Sequence, residues 1–222
     1  MRILVIDDTQ GHLDAARQTL SGHDLTLCSS HDEAVKLLLW KYDDNEKSQR
    51  IKQYESEGLK WTDAYEKAEQ ETRLPYWEVV LCDLLMPAGS REQGSGRHLV
   101  GQEMAVGWSL ALQAVKNGAN YVAVITELNH HQHPASAMID KINGHIFTID
   151  NAKMLMTNYV ETVGIKGTEG KCIECGGTGK HRKWGYEDNC HFCKNGIDFL
   201  VKGKDWGKIL NLLLTGKSID DE

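Results

Sequence analysis

Ile3-Leu4-Val5-Ile6 runs straight into Asp7-Asp8, and Val79-Val80-Leu81-Cys82 runs straight into Asp83. Neither run alternates apolar with polar residues. Successive side chains on a strand point to opposite faces, so an unbroken apolar run must be covered on both. That is the condition of a parallel sheet layered between helices. Leu25–Cys28, Tyr121–Ile125 and His145–Ile149 supply three further strands. Helical spacing fills the intervals: Leu13, Ala16, Arg17 and Leu20; Ala34, Leu37, Leu38 and Lys41; Ala105–Val115, closed by Asn117-Gly118; Pro134–Ile142; and Ala152–Val163. Five strands alternating with five helices predict an α/β fold with a five-stranded, doubly wound parallel sheet.

Two stretches interrupt this alternation. Residues 41–75 are rich in charge and carry Ile51, Tyr54, Trp61, Tyr65 and Ala68 at helical spacings, with Gly58 breaking the middle. They read as an inserted helix or helical hairpin, whose aromatics are a candidate surface for a homodimer or another protein partner. Residues 88–101, rich in Gly, Ser, Arg and His, read as a loop.

Composition excludes some classes. Of 222 residues, 41% are hydrophobic and 26% charged, which is a globular balance. The longest apolar runs are far too short to span a bilayer, and carboxylates enter too early for a signal peptide. A cytoplasmic chain with no membrane association is expected. The net charge of −7 belongs to the first 165 residues, which carry 15 Lys and Arg against 23 Asp and Glu. The remainder is nearly balanced, so the chain is not a strongly basic nucleic-acid binder.

In an open parallel sheet, functional groups gather at the carboxyl ends of the strands. Asp7, Asp8 and Asp83 stand at two such ends and Thr126-Glu127 at a third. Crowded carboxylates tolerate one another best around a hard divalent cation such as Mg²⁺. With Ile3–Asp8, Val79–Pro87 and Val122–Thr126 together, residues 1–165 resemble the receiver domain of two-component response regulators, a flavodoxin-like fold. The resemblance implies that Asp7, Asp8 and Asp83 bind Mg²⁺. It further implies that Asp83 accepts a phosphoryl group from a histidine kinase, and that Thr126 is the switch hydroxyl of a phosphorelay.

One family feature is missing where spacing puts it. The family carries a Lys, normally followed by Pro, at the end of strand five. Counting on from Thr126 reaches Thr148, flanked by Phe147 and Ile149, and none of these is Lys. This keeps open a pseudo-receiver that acts as a protein-interaction scaffold without phosphorylation. His130, His131 and His133 follow strand four on the same rim and are candidate additional metal ligands, which would suit a metalloenzyme instead.

The thiols divide in two groups. Cys28 and Cys82 lie within strands and are expected to be buried. Cys172, Cys175, Cys190 and Cys193 form two C-x-x-C knuckles, the spacing of a tetrahedral, structural zinc site. Cys172–Gly179 matches the C-x-x-C-x-G-x-G unit of DnaJ-type chaperones, so the module resembles half of their cysteine-rich region. His181 and His191 are substitute ligands that the site does not need. Between the knuckles, Lys180, Arg182 and Lys183 flank Trp184 and are candidate nucleic-acid contacts. The expected division is therefore a receiver-like domain over 1–165 and a zinc module with a C-terminal amphipathic helix over 166–222. The function expected is that of a signalling protein rather than an enzyme.

Overall fold

A computed structural model describes the chain except residues 40, 75, 91–93, 128–133, 159, 173–174, 184–185, 191–192, 194–195 and 219–222. For 74, 94–96, 181–183 and 186–188 it describes the backbone alone.

The chain opens with β1 (Arg2–Ile6), α1 (Gln10–Thr19), β2 (Asp24–Cys28) and α2 (His31–Leu37). Ser30 caps α2 by accepting the Glu33 N–H. The inserted stretch is a helical hairpin, α3 (Asp44–Ser56) and α4 (Trp61–Glu71), turned at Gly58, which has a left-handed φ of 95°. The two-residue strands β3 (Lys41–Tyr42) and β4 (Arg73–Leu74) close its base. Tyr54 is buried inside the hairpin, Lys47 lies against the rings of Tyr42 and Tyr65, and Trp61 is exposed.

Then come β5 (Val79–Asp83), a short pair β6 (Met86–Pro87) and β7 (Glu103–Met104) around a 3₁₀ turn (Gly94–Leu99), α5 (Val106–Lys116), β8 (Tyr121–Ile125) and α6 (Pro134–Met138). Next are β9 (Ile146–Ile149), β10 (Ala152–Thr157), β11 (Thr162–Gly164), β12 (Glu169–Lys171), β13 (Lys180–Lys183), β14 (Tyr186–Asn189), β15 (Ile197–Phe199), β16 (Lys202–Lys204) and α7 (Trp206–Thr215).

The central sheet is six-stranded and mostly parallel, in the order β2-β1-β5-β8-β10-β9. Its two faces bury two cores. Leu4, Ile6, Val80, Cys82, Val122, Val124, Met154 and Met156 face α2 and α5. Ile3, Val5, Val79, Leu81, Ala123, Ile125 and Leu155 face α1 and α7. Cys28 and Cys82 are buried, as expected.

Two departures from expectation follow from one stretch. Ala152–Val163 is not a helix: Ala152–Thr157 is β10, parallel to β8. Its Ala, Lys, Met and Leu favour helix intrinsically, but burial between β8 and β9 on both sides overrides that preference. Consequently the expected fifth strand, at 145–149, is a sixth, antiparallel edge strand, β9, joined to β10 by the two-residue turn Asp150-Asn151. Asp150 takes a left-handed φ of 51°, as such hairpin turns require.

The chain runs on past residue 165 into the cysteine-bearing segment through β11, which pairs with β16. After the cysteine-bearing segment the chain returns to the α/β body. Trp206, Ile209, Leu210, Leu212 and Leu213 complete the core on the α1 face. Asp205 caps α7 by accepting the Lys208 N–H, and Gly216 ends it in a left-handed conformation. Residues 158–201 are therefore an excursion between the last parallel strand and the last helix.

Candidate functional site

Asp7 and Asp83 end adjacent parallel strands, and both are nearly buried, with 0% and 7% exposure. Turn geometry holds each carboxylate: the Thr9 N–H donates to Asp7 Oδ1 at 2.9 Å and the Leu85 N–H to Asp83 Oδ2 at 3.2 Å. Their other oxygens share one cation. Lys204 Nζ donates to Asp7 Oδ2 at 2.7 Å and to Asp83 Oδ1 at 2.5 Å, and its side chain is 2% exposed.

Lys204 reaches this position because β16 lies unusually close to α1. A Cβ on Gly203 would stand 2.3 Å from the Gly11 carbonyl oxygen and 2.7 Å from the Ala15 Cβ, so only glycine allows the approach. His12 then fastens the contact from α1. Its Nδ1 accepts the Lys204 backbone N–H at 3.3 Å, and its carbonyl accepts the Trp206 indole N–H at 2.9 Å. With Nδ1 an acceptor, the ring proton sits on Nε2, which faces Glu127 Oε2 at 3.3 Å.

A cavity of about 210 Å³ opens over the lysine, lined by Asp8, Thr9, His12, Asp83, Leu85, Glu103, Thr126, Glu127 and Lys204. Thr126 is 2% exposed and its N–H donates to the Thr157 carbonyl across to β10. The wall is strongly acidic. Among the described residues, Asp8, Asp83, Glu103 and Glu127 line the cavity with Lys204 as the one ammonium, and Asp7 pairs with that lysine. Burial pushes the Asp83 carboxyl up to about 6; Lys204 pulls it down, and Asp7 pushes it up again. Asp8 is raised by burial and then by Asp7. Lys204 is raised, because the two carboxylates outweigh its burial. The His12 hydrogen bond holds Glu127 down.

The second constellation is the cysteine cluster. Ligand atoms of Cys172, Cys175, Cys190 and Cys193 all lie within 4.8 Å of one another, and no other group of three or more His, Cys, Asp or Glu among the described residues meets that condition. Cys172 and Cys190 sulfurs are 3.9 Å apart, and Cys175 and Cys193 sulfurs 3.5 Å. Tetrahedral zinc with Zn–S near 2.3 Å needs sulfur edges of about 3.8 Å, so four thiolates at this spacing fit a metal ion such as zinc. The Gly179 N–H donates to Cys175 Sγ at 3.3 Å. Burial raises the Cys175 thiol, but Gly179 and Cys193 outweigh it and draw it down to about 6.

The structure therefore brings Asp7, Asp8, Asp83 and Thr126 to one place, and the four cysteines to another. It does not set the three aspartates at the spacing of shared ligands to one ion. His130, His131 and His133 lie outside the described residues, as does His191. Lys180 begins the hairpin strand β13; for His181, Arg182 and Lys183 only that backbone is described. Sequence reasoning missed Lys204, His12 and Glu103. For Lys204 a signal existed: Lys-Gly-Lys-Asp immediately precedes the amphipathic final helix.

No protein-family model matches the chain, nor does any curated protein or solved structure.

Proposed function

We propose that the chain is a signalling protein whose α/β body is a divergent receiver domain, with Asp83 as phosphoacceptor. The observation that carries this reading is Lys204 Nζ held between Asp7 and Asp83, beside Thr126. A buried acid pair, a single ammonium and a hydroxyl around one cavity suit a tetrahedral anion attached to Asp83. The parallel order β2-β1-β5-β8-β10 supports the reading, since it is the doubly wound order with its switch point where Asp7 and Asp83 meet. Phosphorylation-independent scaffolding drew its support from a lysine absent at 147–149, and Lys204 supplies that charge from elsewhere.

In this account an Asp83 carboxylate oxygen attacks the donor's phosphorus, and the bond from phosphorus to the donor's leaving nitrogen or oxygen breaks. Lys204 offsets the negative charge gained at the acceptor, and in this reading Thr126, on the same cavity wall, contacts a phosphoryl oxygen. Asp7, Asp8 and Asp83 are the residues that would hold Mg²⁺ after drawing closer together than they stand in this structure, and such an ion would offset phosphoryl charge. Among the described residues, four acidic side chains and one lysine line the cavity, an excess of negative charge that favours such a cation. The four cysteines hold zinc, and reduced thiols of this kind belong to the cytoplasm. The chain passes on its state through protein contacts rather than by turning over a substrate, and the natural donor is a histidine kinase.

Beryllofluoride titration with Mg²⁺ tests this. Saturable binding that Asp83→Asn abolishes supports the proposal. No binding to the folded chain defeats it.

A further inference from the structure

Lys204 and the thiolate cluster belong to one piece of backbone. Leaving β10, the chain runs out through β11 and β12 to Cys172 and Cys175. It comes back from Cys190 and Cys193 through β15 and β16 to Lys204. The two arms form an antiparallel ribbon that hydrogen bonds along its length. Thr162 pairs with Lys204, Val163 with Gly203 and Gly164 with Lys202. The Ile165 N–H then donates to the Val201 carbonyl, and the Leu200 N–H to the Thr168 carbonyl. Glu169 pairs with Phe199 and Lys171 with Ile197, and the Cys172 N–H donates to the Gly196 carbonyl at the foot of the cluster. Each arm contributes two of the four sulfurs.

Such a ribbon is marginally stable by itself. Its inner half is anchored on the body, with Val163 and Ile165 against the α1-face core and Gln18 bonded to Gly164 and Lys166, but its outer half is not: Ile197, Leu200 and Val201 are 58%, 66% and 40% exposed. A one-residue slip of its register would bring Gly203 or Asp205 to the position of Lys204 and turn the side chains to the opposite face. A metal ion joining Cys172 and Cys175 to Cys190 and Cys193 staples the arms and permits one register.

We infer that the thiolate cluster is a metal-sensing input to the acidic site: its occupancy by a thiophilic ion sets the ribbon register that holds Lys204 between Asp7 and Asp83. This rests on the zinc reading of the cysteines and on the lysine's position, and not on Asp83 being phosphorylated. Linkage makes the coupling reciprocal, so loss of the Lys204 contact must weaken metal binding by the same factor.

The test measures zinc affinity by chelator competition on the full chain, for the wild type, Lys204→Met and Lys47→Met. Lys47 is a matched control, a lysine buried in the helical hairpin against Tyr65 and Glu69. The expected result is zinc affinity about tenfold weaker in Lys204→Met and unchanged in Lys47→Met. Unchanged affinity in Lys204→Met, or equal weakening in both variants, overturns the inference. Amine labelling of the wild type gives a second reading that needs no variant. Removing zinc should raise labelling of Lys204 about tenfold and leave Lys47 protected; equal protection of Lys204 with and without zinc, or loss of protection at both lysines, overturns it. A wild type that takes up no zinc defeats the metal reading itself, and this inference falls with it.

Discussion

Lys204 Nζ lies 2.5 Å from Asp83 Oδ1, across 121 positions of sequence. The same ammonium is 2.7 Å from Asp7 Oδ2, so one cation from the far end of the chain pairs with carboxylates at two strand ends. Removing it leaves two buried carboxylates unpaired. Lys204→Met should therefore lower unfolding free energy by about 3–5 kcal/mol, the cost of breaking a buried ion pair from one side. Chemical denaturation measures it. In Lys204→Met/Asp83→Asn much of that loss should return, because only Asp7 then remains charged. A double variant no more stable than the single would contradict the pairing.

Asp83 should set a pH dependence. Its carboxyl is raised from 3.8 to about 6, chiefly by burial and against the pull of Lys204. The folded state thus holds this proton more tightly than the unfolded state. Its contribution to stability is complete below about pH 4 and is lost as pH rises through about 6. Reactivity runs the other way, because only the carboxylate is a nucleophile. Phosphoryl transfer from a small donor should rise with pH with a midpoint near 6, and Mg²⁺ should move that midpoint down. A flat profile between about pH 5 and 8, a range that spans that midpoint, would contradict the assignment.

Gly203 is the second lever on the site. Gly203→Ala would press a methyl group to within 2.3 Å of the Gly11 carbonyl, so β16 must move off α1. Destabilisation of about 1–3 kcal/mol and increased amine labelling of Lys204 are expected. Gly22→Ala, which meets nothing within 4 Å and has no left-handed φ, is the control and should leave both measurements unchanged.

The cysteine cluster predicts one zinc per chain by elemental analysis. Cys175→Ser should lose it, since Cys175 is one of the four sulfurs within mutual reach. The α/β body should keep a cooperative melting transition in that variant, because its cores contain none of the four cysteines. Retained zinc at one per chain in Cys175→Ser would place the metal elsewhere.

Much of this arrangement was legible in the sequence, and the part that was not has a definite cause. The unbroken runs Ile3–Ile6, Val79–Cys82 and Tyr121–Ile125 could be buried only on both faces, so the sheet centre and the place of Asp7 and Asp83 followed from local pattern. The knuckle spacing likewise implies the meeting of the four sulfurs that the structure shows. Ala152–Thr157 misled because its residues prefer helix and its strand identity depends on two neighbouring strands. The turn Asp150-Asn151 between two apolar runs was the local clue. Read as a helix, that stretch makes 145–149 the last strand and puts the expected lysine position at its end, where none stands. Lys204 instead arrives through a ribbon whose pairings span up to 42 positions, a separation that no periodicity reports.

The most direct test of the account is to treat the folded, zinc-loaded chain with acetyl phosphate and Mg²⁺ and map the product by mass spectrometry. The account requires one phosphoryl group per chain, on Asp83, absent from Asp83→Asn and sharply reduced in Lys204→Met. A folded chain that acquires no phosphoryl group at Asp83, or that acquires it equally with and without Lys204, would contradict it.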